Sequence, residues 1–131
     1  MSGARWAQQE LLAKHPKADV RVFVIWFKMY PGDEETKWPP ELLTDTRVEH
    51  RWDEPKLAGR WFMTNLQSLR PSRGGDGVFP QQVDALWDSY LLFDRGAMWN
   101  ETPDGLLSWG FTVMRTRPQL LKDWEFVLGN Q

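Results

Sequence analysis

Few residues in this chain could do chemistry. It has only two histidines, His15 and His50. His50 sits in "RVEHRWD", beside Glu49 and near Asp45 and Asp53. An imidazole close to carboxylates could hold a metal or act as a general base. The spacing does not favour either role. Glu49 and His50 are adjacent, so in an extended segment they point to opposite faces. No HxH, HExxH or DxD pattern is present. The plainer reading is a polar segment whose Asp53 caps the following helix. His50, Glu49 and Asp53 remain the catalytic candidates, with no motif behind them.

The other nucleophiles and motifs are no more specific. Ser2, Ser68, Ser72, Ser89 and Ser108 lack a G-x-S-x-G elbow. "RGGDG" lacks the G-x-x-x-x-G-K of a phosphate loop. There is no cysteine, so disulfides, thiolate metal sites, iron–sulfur clusters and cysteine nucleophiles are excluded. No metal or cofactor is expected. Nine tryptophans are available as aromatic platforms for a flat ligand or as interface residues. Trp26, Trp38, Trp52 and Trp87 are the candidates. Trp38 lies between a charged loop and two prolines and is the one expected to be most exposed.

The elements that would position these residues can be read from pattern. The chain has 131 residues, 41% of them hydrophobic, which suits a single domain over 1–131. Net charge is −2 with mixed signs, against the clustered basic excess that nucleic-acid binding needs. No stretch approaches the ~20 apolar residues of a membrane span. The N-terminus has no signal-peptide core, so a cytoplasmic location is expected for the chain as it stands.

A helix is expected over 2–15, ended by Pro16. "VRVFVIWF", 20–27, is a strand whose nearly continuous apolar run implies burial on both faces. A short helical turn over 41–46 and an extended piece over 47–53 follow. Asp53 then opens a helix over 54–69 with a stripe of Leu57, Ala58, Trp61, Phe62, Leu66 and Leu69. Residues 70–77 read as a flexible loop. "SYLLF", 89–93, reads as a strand turning at "DRG" into a returning strand "AMWN". Residues 106–115 fit either strand or helix. Thr116 and Pro118 open a last helix, stopped near Gly129. This alternation places the chain in the α/β class, a mixed sheet with flanking helices.

"RVFVIWFKM", "DTRVEHRWDEPKLAGRWF" and "LWDSYLLFDRGAMW" resemble a bacterial branch of thioredoxin-like proteins. The resemblance covers most of residues 2–110. It implies a three-layer thioredoxin-like fold from which the first strand is missing. It also implies that the missing strand is the central one, lying between 20–27 and 89–93. The chain departs from the family at its chemical centre. The Cys-x-x-Cys at the N-terminus of the first helix is absent, and Asp88 stands where the family has a cis-proline. Thiol–disulfide exchange is therefore excluded, because the nucleophile does not exist.

The expected function is a redox-inactive binding or interaction module. Two strands facing an empty position would pair directly, or a second copy would fill it by edge pairing or by segment exchange. A homodimer through that edge is the expected partner state. The alternatives are a small hydrolase at the dimer interface built on His50, and an aromatic-lined binder of small ligands. A longer parent gene carrying the Cys-x-x-Cys would make this chain a fragment.

Overall fold

The computed structural model describes residues 2–37, 41–78 and 83–131. The first helix, α1, starts as an α-helix over Ser2–Trp6 and continues as a π-helix over Ala7–Leu12. The Ala13 N–H reaching back to the Gln8 carbonyl at 2.9 Å marks the wider turn. It ends before the expected 15. Strand β1 is Val22–Trp26 and strand β2 is Val48–Trp52. The segment read only as extended is thus a strand, and it is what "VRVFVIWF" pairs with. The two run parallel, with Val22 opposite Val48 and Trp26 opposite Trp52. No helix forms over 41–46; those residues are turns and bends.

Helix α2 is Leu57–Asn65, extended by a 3₁₀ turn over Leu66–Ser68. It starts later than expected. Asp53 still caps it from a distance, accepting the Leu57 and Ala58 N–H groups at 2.9 and 2.9 Å. Lys56 takes the turn into the helix at φ 57°. The apolar stripe holds in part: Phe62 and Leu66 are buried, but Leu57, in the first turn, is exposed; the Gly59 carbonyl accepts the Leu86 N–H at 2.8 Å.

Strand β3 is the two-residue Gly75–Asp76, β4 is Ser89–Phe93 and β5 is Leu106–Phe111. They form a second sheet in the order β3-β5-β4, with β5 parallel to β3 and antiparallel to β4. This corrects two expectations. "SYLLF" returns through 106–111, and "AMWN" contributes only an isolated bridge from Trp99 to Pro103. The loop expected to be flexible is pinned: Ser72 and Arg73 donate to the Leu106 and Leu107 carbonyls. The reason is burial. β5 has neighbours on both edges and is buried at five of its positions, which its apolar residues can sustain and the polar "NETPDG" cannot.

Helix α3, Arg117–Gly129, has Pro118 in its first turn, as the sequence suggested. Leu120 and Trp124 on α3 meet Leu11 and Leu12 on α1, with Leu43 closing the cluster. Val22, Val24 and Val48 from the first sheet and Tyr90 from the second pack against this cluster. One helical layer therefore carries both sheets. Arg47 ties α1 to β2. Its guanidinium donates to the carbonyls of Leu12, His15 and Ala18 and grips Asp45 with two short bonds of 2.8 and 2.7 Å.

Candidate functional site: an open strand position

The chemistry of this molecule starts from its backbone. In the parallel ladder, the Val22 N–H donates to the Arg47 carbonyl and the Trp26 carbonyl accepts from Asp53. Alternate residues of a strand aim their backbone groups at opposite edges. Val22, Val24 and Trp26 thus face β2. The N–H and C=O groups of Phe23 and Ile25 face the other edge. Among the described residues no strand lies hydrogen-bonded there, since the first sheet contains β1 and β2 alone. On β4 one edge is taken by β5, and among the described residues no strand is hydrogen-bonded to the other.

Val22 and Val24 of β1 and Tyr90 of β4 rest on the same helical cluster. Asp19, just before β1, forms an ion pair with Arg95, just after β4, at 3.2 Å. The start of β1 thus lies near the end of β4.

The face away from the α1–α3 layer shows the same incompleteness. Phe23 is 55% exposed and Ile25 42% exposed. They stand beside Glu49 and Arg51, their partners in register. The burial on both faces expected from the apolar run 20–27 is therefore not found: β1 is covered on one face only.

The sequence candidates fall elsewhere. His50 is held by both ring nitrogens. Trp26 Nε1, which can only donate, lies 2.9 Å from Nδ1, and Nε2 lies 3.0 Å from the Leu43 carbonyl. The proton therefore sits on Nε2, and Nδ1 is occupied as an acceptor. The Trp26 and His50 rings are nearly coplanar, their centres 6.1 Å apart. Glu49 is on the opposite face, paired with Arg21 at 2.6 Å and Arg51 at 2.9 Å. The hydrogen bond from Arg21 is the main reason its carboxyl is held below the ordinary glutamate range. Asp53 is spent on the α2 N-terminus. The structure does not bring these three groups to one point. His15 lies three residues past the end of α1, with Nδ1 2.9 Å from the Leu11 carbonyl and its ring edge-on to Trp124.

The tryptophan candidates do not converge either. Trp26 and Trp52 are cross-strand neighbours, whereas Trp87 lies two residues before β4 and meets Phe111 edge-on at 5.4 Å. Trp52 bonds Glu54 and lines an open depression of about 630 Å³ with Lys28, Asp33, Glu34, Glu35 and Thr36. Trp38 lies outside the described residues. Another aromatic group forms on α2: Trp99 lies against Trp61 with ring centres 4.7 Å apart and planes tilted by 52°, and meets Phe62 edge-on at 5.8 Å. Among the described residues no group of three or more His, Asp or Glu could hold a metal, and no helix is long and apolar enough to cross a membrane.

No protein-family model, no curated protein and no solved structure matches the chain.

Proposed function

We propose that this chain is a thioredoxin-like binding module without thiol chemistry, which takes an extended segment of another polypeptide at the second edges of β1 and β4. The single observation that carries this reading is that β1 and β4 rest on one helical layer with, among the described residues, one hydrogen-bonded neighbour each. Three features support the thioredoxin-like part. The α-β-α-β-β-α succession that the resemblance implies is present as α1, β1, α2, β4, β5 and α3, with β4 antiparallel to β5; β2 and the two-residue β3 are additions to it. β1 and β4 are the strands between which the family's first strand would lie. Asp88, at the family's proline position, comes next to the start of α1: a Cβ on Gly3 would lie 3.4 Å from its Oδ1. The homodimer expected from the sequence is the form of this reading in which a second copy supplies the segment.

Amide exchange tests it residue by residue. Val24 and Trp26 donate into the ladder and should exchange slowly. Phe23 and Ile25, on the same strand, should exchange fast in the isolated chain. Equal protection at all four amides would mean that this edge is covered and would remove the reading.

A further inference from the structure

One ring nitrogen in this protein has two claimants. His15 Nδ1 lies 2.9 Å from the Leu11 carbonyl of α1 and 3.2 Å from Nε1 of Trp124 on α3. An indole N–H only donates, and a carbonyl only accepts. Without a proton, Nδ1 can accept from Trp124. With a proton, it can donate to Leu11. It cannot do both at once.

We propose that His15 is a proton-operated switch at the contact between α1 and α3. The neutral ring accepts from Trp124. The protonated ring lets Trp124 go and donates to the Leu11 carbonyl instead. The inference is independent of the binding-module reading.

Each state has its own physical support. Trp124 is buried, at 5% exposure, so its N–H has little water to fall back on. A buried donor left unmatched is costly, and the neutral ring avoids this by carrying its proton on Nε2 and leaving Nδ1 as the acceptor. The Leu11 carbonyl belongs to the last turn of α1. Carbonyls there lack intrahelical donors and form the negative end of the helix dipole, which favours a cation beside them. A protonated ring meets both needs with its Nδ1–H.

The charged groups that adjoin the ring come from three elements. On its own segment are Lys14, paired with Glu10, and the exposed Lys17. Ahead of β2, Arg47 donates to the His15 carbonyl at 2.8 Å and is matched by Asp45. On α3, Asp123 and Glu125 flank Trp124; Asp123 is turned to Arg73 and Gln119, and Glu125 is exposed. Lys14 and Arg47 are each answered by a carboxylate, so neither bars a charge on the ring.

The exchange matters because of where Trp124 sits. It packs with Leu11, Leu12, Leu43 and Leu120 in the cluster on which Val22, Val24, Val48 and Tyr90 rest. A proton on one half-buried ring therefore reaches the layer that supports both sheets.

Nitrogen NMR of the labelled full chain tests this between pH 8 and 5, where an imidazole ordinarily changes charge. At pH 8 the His15 ring should show a bare Nδ1 and a protonated Nε2. As pH falls, the Trp124 indole N–H resonance should move with the same midpoint as the His15 ring, and its exchange with water should speed up about tenfold. His50→Gln, which removes the other histidine, should leave this response unchanged. In Trp124→Phe the neutral ring should move its proton to Nδ1, facing Leu11. If that variant does not fold, the wild-type spectra decide alone. A proton on Nδ1 of the neutral wild-type ring would mean that His15 never holds Trp124, and would overturn the proposal. So would a Trp124 resonance that stays fixed while His15 titrates, or an unchanged tautomer in a folded Trp124→Phe. If His15 gains its proton only as circular dichroism shows the whole chain unfolding, the ring is a fixed acceptor and the proposal falls.

Discussion

Replacing Arg47 by Met should be among the most damaging single changes outside the apolar core. Arg47 holds the end of α1 onto β2. Its side chain is 16% exposed and that of Asp45 15%. Methionine fills similar space but leaves the Leu12, His15 and Ala18 carbonyls with one backbone donor each and the Asp45 carboxylate without its cation. Removing one member of a buried pair costs about 3–5 kcal/mol. Solvent reaches this one, which moves the expectation to the lower end, about 3 kcal/mol. At roughly 4 °C per kcal/mol for a domain of this size, Tm should fall by about 12 °C at pH 7.

The same pair gives a pH signature. Hydrogen bonds from the Arg47 side chain and its backbone N–H hold the Asp45 carboxyl at about 2, against an ordinary 3.8. Its folded value is depressed, so the stabilisation is complete above pH 3.8 and is lost as pH falls through about 2. It amounts to at most about 2 kcal/mol, less whatever solvent screening removes. Asp45→Asn should flatten the stability curve between those two values. Calorimetry on wild type, Arg47→Met, Arg47→Lys and Asp45→Asn reads all of this. Lysine should recover only part of the loss, because it cannot bond three carbonyls and both carboxylate oxygens from one plane. A fall in Tm under about 4 °C for Arg47→Met, or full rescue by lysine, would refute the argument.

Two further changes test local claims. Asp53→Ala should cost about 1 kcal/mol, because two N–H groups at the start of α2 lose their acceptor; an unchanged melting temperature would count against the cap. Gly110→Ala puts a Cβ 2.3 Å from Thr116 Oγ1 and 2.4 Å from the Tyr90 ring, so β5 must shift and about 1–3 kcal/mol should be lost in a urea titration.

Much of the architecture was legible in one sequence. Val20–Phe27 had to be a strand, because its β-branched and aromatic run has the wrong period for a helix face. The α2 and α3 stripes at Phe62 and Leu66, and at Leu120 and Trp124, were visible as helical spacing. Asp53 was recognisable as a cap. The absence of cysteine excluded thiol chemistry before any fold was considered. These are local properties: each depends on residue types a few positions apart, and local sterics enforce them.

Pairing was not local, and it was there that the tertiary structure decided. "RVEHRWD" has no apolar run to mark it as the partner of β1. It becomes one because Arg47 anchors its start to α1 and His50 bridges Trp26 and Leu43. β4 turns back through 106–111 rather than through "AMWN" because only β5 can be buried between two neighbours. His50 looked like a reactive group in sequence and is a bridge in space. Its role depends on which partners reach its two nitrogens, and no spacing within the chain specifies that. The pairing of β1 and β4 has the same origin. Sequence marked the strands as apolar enough to need neighbours. Only the packing of both sheets on one helical layer shows that, among the described residues, β1 and β4 each have a single hydrogen-bonded neighbour.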